Sequence, residues 1–177
     1  MTKLELCGAS EVLQSSLAAM YLFPRLKDLY LYLEHPRVGQ LDLRRLQPLS
    51  ALERLHCHCL NHVELRGSTL LPRLSFLRFW GFLGSIDTNA ASIDIDAALP
   101  SLQSLLVEDG GSVRLAGDRL QLAQLSRLSI EANSVTVRWP ALPKLAVLDL
   151  NTCRLIASDG LPMLGHLTSL TVTYWDK

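Results

Sequence analysis

One six-residue phrase recurs along the whole chain: an apolar residue, two of any type, an apolar residue, one of any type, and a last apolar residue. It stands at Leu26-Leu29-Leu31, Leu52-Leu55-Cys57, Leu74-Leu77-Phe79, Leu102-Leu105-Val107, Leu125-Leu128-Ile130, Leu145-Leu148-Leu150 and Leu167-Leu170-Val172, with a clipped copy at Met1-Leu4-Leu6. Successive starts lie 20 to 28 residues apart. That period lets one short strand return beside the strand of the previous turn, so the strands stack in parallel. Alternation within each strand sends the leucines to one face and the intervening residues to the other. The leucines then form a continuous core that no single repeat could bury alone. Four copies are introduced by an apolar residue and proline, as "FPRL", "LPRL", "LPSL" and "LPKL", which suits a residue excluded from central strands. The row Leu29, Leu55, Leu77, Leu105, Leu128, Leu148 and Leu170 is expected to be buried throughout.

The pattern resembles the leucine-rich-repeat family and covers nearly all of the chain. "LSRLSIEAN", ending on Asn133, and "LAVLDLNTC", ending on Cys153, also fill the Asn/Cys slot of that family's longer motif. The segment 153–172 is similar to the cysteine-containing subtype of F-box-type substrate receptors. The "FPRLKDLYL" and "LPKLAVLDL" phrasing is similar to the irregular repeats of plant-type intracellular immune receptors. The resemblance implies an α/β, strand-rich repeat solenoid: a leucine-rich-repeat horseshoe with one parallel concave sheet of about eight strands.

Between the repeats, "SEVLQSSLAAMY" predicts a helix near residues 10–21, with Ser10 as N-cap and Val12, Leu13, Leu17, Met20 and Tyr21 toward one side. The later return segments "HVEL", "SIDID", "SVRL" and "SVTV" alternate with period two, so short strands and turns are expected on the convex side. "EDGG" at 108–111 permits a local hairpin. A parallel β-helix is the alternative fold.

At 177 residues and 49% hydrophobic content, one domain spanning 1–177 is expected. Lys+Arg and Asp+Glu both number 17, which provides no general pull toward nucleic acid or anionic lipid. No secretory signal pattern, long apolar span or dense cysteine framework is present, so a cytoplasmic protein with no membrane partner is expected. The chain ends without an amphipathic capping helix, which suggests a piece of a longer array or ends covered by a partner, with Tyr174 and Trp175 as a crude lid.

"LERLHCHCLNH" gathers three of the five histidines and two of the four cysteines. The repeat register separates them. Cys57 takes a core slot, as free cysteine commonly does, and Cys59 falls on the core side or in the following turn. His56 and His58 point to the opposite face, ~7 Å apart. Zinc normally needs three or four convergent ligands, and Arg54 and Arg78 nearby oppose a cation, so no metal and no cofactor is expected. Asp94 and Asp96 share one side of a return strand, where a solvated edge is favoured over weak calcium binding.

The outward slots run Lys3, Glu5, Cys7; Asp28, Tyr30, Tyr32; Arg54, His56, His58; Phe76, Arg78, Trp80; Ser104, Leu106, Glu108; Arg127, Ser129, Glu131; Val147, Asp149, Asn151; Ser169, Thr171, Thr173. Neighbouring strands lie ~4.8 Å apart, so Tyr30-His56-Arg78 and Tyr32-His58-Trp80 make two rows. Tyr, Trp and Arg are enriched at interaction hot spots. Tyr30, Tyr32, Arg54, His56, His58, Phe76, Arg78 and Trp80 are therefore the candidate partner-binding residues, and Glu108, Glu131 and Asp149 make the other half of the face smaller and acidic. No phosphate loop, nucleophile elbow or metalloprotease helix occurs. The expected function is non-enzymatic binding of a protein or peptide. A substrate-recognition part of a ubiquitin ligase, implied by the resemblance, and a metal-dependent enzyme are the alternatives.

Overall fold

A computed structural model describes residues 1–33, 40–58, 62–67, 71–81, 92–157 and 165–174. The chain opens with strand β1 (Lys3–Gly8) and helix α1 (Ser10–Ala18), then β2 (Asp28–Leu33), β3 (Gln40–Asp42), β4 (Arg54–His58), β5 (His62–Gly67), β6 (Phe76–Trp80) and β7 (Ser92–Ala97). Three longer strands follow, β8 (Ser104–Leu115), β9 (Arg127–Val137) and β10 (Val147–Ala157), and β11 (Ser169–Tyr174) comes last. The solenoid arrangement and, among the described residues, the near absence of helix agree with the repeat reading.

Two parallel ladders run through the molecule. The first takes the repeat phrases in order, β1–β2–β4–β6–β8–β9–β10–β11. The second takes the return segments, β3–β5–β7–β8–β9–β10. They are joined because β8, β9 and β10 continue from one ladder into the other. Among the described residues the result is one 11-stranded network, because the return strands pair as regularly as the repeat phrases do. The local hairpin that 108–111 permits does not form: β8 runs on through these residues, with a register shift between Val107 and Gly110. A Cβ on Gly110 would press on Ala132 and Val107 at 3.2 Å, so the bend takes a residue without one. Two coils later the bend holds Thr152, a polar residue buried in the core. Its hydroxyl oxygen accepts the Arg154 N–H at 3.2 Å and lies 3.1 Å from the Arg154 carbonyl.

The apolar-Pro phrases build a recurring turn. In all four, the N–H of the leucine that opens the repeat donates to the carbonyl three residues back: Leu26 to Phe23, Leu74 to Leu71, Leu102 to Leu99 and Leu145 to Leu142; Leu52 and Leu125 make the same bond, to Leu49 and Leu122, without a proline. Proline at the second turn position presets the φ that the turn requires. The two N–H groups that follow donate to one carbonyl of the previous coil, as Glu53 and Arg54 do to Lys27. This pairing locks the strand register from coil to coil.

The core lies between the ladders. Leu29, Leu55, Leu77, Leu105, Leu128 and Leu148 stack in one buried row, and Leu31, Cys57, Phe79, Val107, Ile130 and Leu150 in the next. Val63, Ile93, Val113 and Val135 face them from the second ladder. Leu170 departs from the expected row: it is 59% exposed. It pairs with Leu148 on one side only, and all of β11 is exposed. Tyr174 is also exposed, and Trp175, the other residue of the expected lid, lies outside the described residues, as does Cys59. At the other end α1 buries Leu13 and Leu17, and Met20 follows in a 3-10 turn, while Val12 and Tyr21 face outward. Ala9, not Ser10, occupies the N-cap, with no side-chain cap bond. Among the described residues, no helix is long and apolar enough to cross a membrane.

Candidate functional site

With the leucines inward, the intervening residues of the first ladder form one outer face. The register aligns Tyr30, His56 and Arg78 in one row and Tyr32, His58 and Trp80 in the next, as their alternation requires. Phe76 stands beside Arg54 on the neighbouring row. All eight sequence candidates therefore share one contiguous area.

The rings there touch one another. His56 stacks flat on Tyr30, with centroids 4.2 Å apart and 9° between planes. Its other neighbours are Phe76 at 5.1 Å and Trp80 at 6.0 Å, the latter edge-on. His58 lies 5.2 Å from Trp80 and 5.8 Å from Tyr32, and Tyr32 meets Trp80 edge-on at 5.9 Å. Offset-stacked and edge-to-face pairs are the favoured aromatic geometries. Gly81, with φ of 68°, lets the His58 ring lie against the backbone, because a Cβ at this position would collide with it.

The charges on this face are arranged in pairs. Arg54 binds Asp28 through two hydrogen bonds, Nε to Oδ1 and Nη2 to Oδ2, the second at 3.0 Å. Arg78 donates from Nη2 to both oxygens of Glu108, at 2.9 and 2.8 Å. Lys3 pairs with Glu5 at 2.7 Å. The same cations sit over rings: Lys3 lies 4.6 Å from the Tyr30 centroid and Arg78 5.1 Å from that of Trp80, within cation–π reach. Sequence reasoning missed Lys3, Asp28 and Glu108 as members of the patch. Their signal is opposite charge in neighbouring slots, direct for Asp28 and Arg54 and diagonal for Arg78 and Glu108.

Burial lowers the His56 pKa below its ordinary value, and the Arg78 charge adds to the effect. Both causes favour the neutral imidazole. Hydrogen bonding to Glu5 raises the Lys3 pKa, and hydrogen bonding to Asp28 raises that of Arg54. Cys57 is fully buried, which pushes its thiol well above the usual range and leaves an inert core residue. Among the described residues, no three His, Cys, Asp or Glu side chains converge in a way that could hold a metal ion.

Beyond Trp80 the face changes character. Val107, Glu108, Ser129, Ile130, Glu131, Asp149, Asn151 and Thr173 line a shallow depression of about 170 Å³. On the second ladder, Asp94 lies 3.7 Å from Arg114, and Asp96 accepts the Arg119 N–H at 2.9 Å, so each carboxylate already has a partner.

No family model, curated protein or solved structure matches the chain.

Proposed function

We propose that the chain is a non-enzymatic binding module of the leucine-rich-repeat kind, a horseshoe whose concave surface is the outer face of the first ladder, and that this face takes a protein or peptide. One observation supports the reading above the rest: Tyr30, Tyr32, His56, His58, Phe76 and Trp80 form a single ring cluster on strands whose inward faces are already filled. A monomer gains little from gathering partly exposed rings on its outside, whereas binding hot spots are built from such side chains.

The test is selection of peptides from a random library on the whole chain, followed by affinity measurements on variants. Trp80→Ala should weaken selected peptides by ~2 kcal/mol or more, with the circular dichroism spectrum unchanged. Thr171→Ala, at the far end of the same face, should leave affinity within about 0.5 kcal/mol. Equal losses in both variants, or no loss at Trp80, would remove the localised patch.

A further inference from the structure

The ion pairs on the face narrow the kind of partner it suits. Each cation inside the ring cluster is already neutralised: Lys3 by Glu5, Arg54 by Asp28 and Arg78 by Glu108. Burial favours the neutral form of His56. An acidic partner would have to displace Glu108 or Asp28 before finding an unpaired positive charge on these arginines. The ring cluster therefore presents apolar ring faces with no net charge.

The other end of the same face has the opposite property. Glu131 and Asp149 join no ion pair among the described residues, and both line the depression beside Glu108. The backbone register puts Glu131 opposite Asn151 and Asp149 opposite Ser129, so oxygen-bearing side chains surround the hollow. Arg127, the cation of this end, pairs in register with Ser104 and Val147, at the opposite end of the strands from Glu131. It forms no ion pair with either carboxylate.

We infer that the partner is an extended cationic segment, with an apolar or aromatic residue on the Tyr30–His56–Trp80 rings and a lysine or arginine over the Glu131–Asp149 depression. The inference rests on the binding reading above and adds to it the partner's charge and spacing. Trp80 stands two ladder steps from Glu131 and three from the Asp149 strand, roughly 10–14 Å at ~4.8 Å per step. An extended chain at ~3.3 Å per residue covers that distance in about three or four residues. The cation should thus follow or precede the ring-stacking residue by that interval. Across the strands, such a segment would meet aromatic rings first and carboxylates second, with charge complementarity supplied where the face still has charge to offer.

The experiment uses the whole chain and a random library of extended peptides of about eight residues, long enough to cross the face. Three forms are compared: the wild type, Trp80→Ala and the double variant Glu131→Gln/Asp149→Asn. The wild type should enrich peptides with Lys or Arg three or four residues from an aromatic or aliphatic one. The double variant should lose that preference for a basic residue while still enriching the apolar one, and its affinity for the basic peptides should fall about tenfold, a ~1.4 kcal/mol change. Trp80→Ala should enrich nothing. Binding of the basic peptides should also weaken with salt between ~0.05 and 0.5 M, as exposed charge pairs do. Enrichment of neutral or acidic peptides that still depends on Trp80 would overturn the cationic partner and leave the binding face standing. No enrichment on the wild type, or enrichment insensitive to Trp80→Ala, would overturn both.

Discussion

At the scale of single residues, the face is shaped by what each side chain does to its neighbour. His56 is squeezed between Tyr30 and Phe76 with Arg78 close by, and both burial and charge favour its neutral form. Its pKa is depressed on folding, so the unfolded chain binds the proton more readily. The stability this contributes is fully present above the unfolded value of ~6.5 and is lost as pH falls through the lower folded value. NMR titration should give His56 a midpoint below ~6.5, and His56→Phe should flatten the acid limb of the stability profile. A midpoint at or above ~6.5 would mean the ring is not held in this stack. Gly81 is a second pressure point. Its positive φ and the His58 ring against it leave no space for a methyl group. Gly81→Ala should lower stability by about 1 kcal/mol or more, read by denaturant unfolding. Nothing in the composition marks this glycine, because its role depends on where the His58 ring lies, a contact beyond the local sequence.

At the scale of elements, the strand is the unit that the sequence makes legible. The inward leucines can be read directly because alternation and a 20–28-residue period leave one consistent register, and six of the seven expected row members are buried. Leu170 is the exception for a physical reason: periodicity says which way a side chain points, not how many neighbouring strands cover it. Leu105→Ala, mid-array with β6 on one side and β9 on the other, should cost ~2–5 kcal/mol. Leu170→Ala should cost under about 1 kcal/mol. Equal costs in urea unfolding would contradict the difference in burial. The return strands are only half legible. Their period-two alternation announces strands, but their pairing into a second ladder depends on the closure of whole coils. The same holds for the ion pairs, since the diagonal contact of Arg78 with Glu108 crosses 30 residues of sequence.

At the scale of the molecule, two parallel ladders enclose a core of stacked leucine, isoleucine and valine rows, and the first ladder turns the proposed binding side chains outward. The division of that face into a ring cluster and an oxygen-rich depression follows from which residues occupy the outward slots, which the core does not constrain. Changes in the ring cluster should alter binding and leave the fold intact, whereas changes one residue along β4, β6 or β8, at Cys57, Phe79 or Leu105, should do the reverse. The central claim, that the outer face of the first ladder is the binding surface, is tested most directly by amide NMR. A peptide selected on the whole chain is titrated into the labelled protein and the shifted residues are mapped. Shifts should concentrate on β2, β4 and β6 and extend through Glu108, Glu131 and Asp149, while β3, β5 and β7 stay still. Shifts centred on β5 and β7 of the second ladder would contradict it.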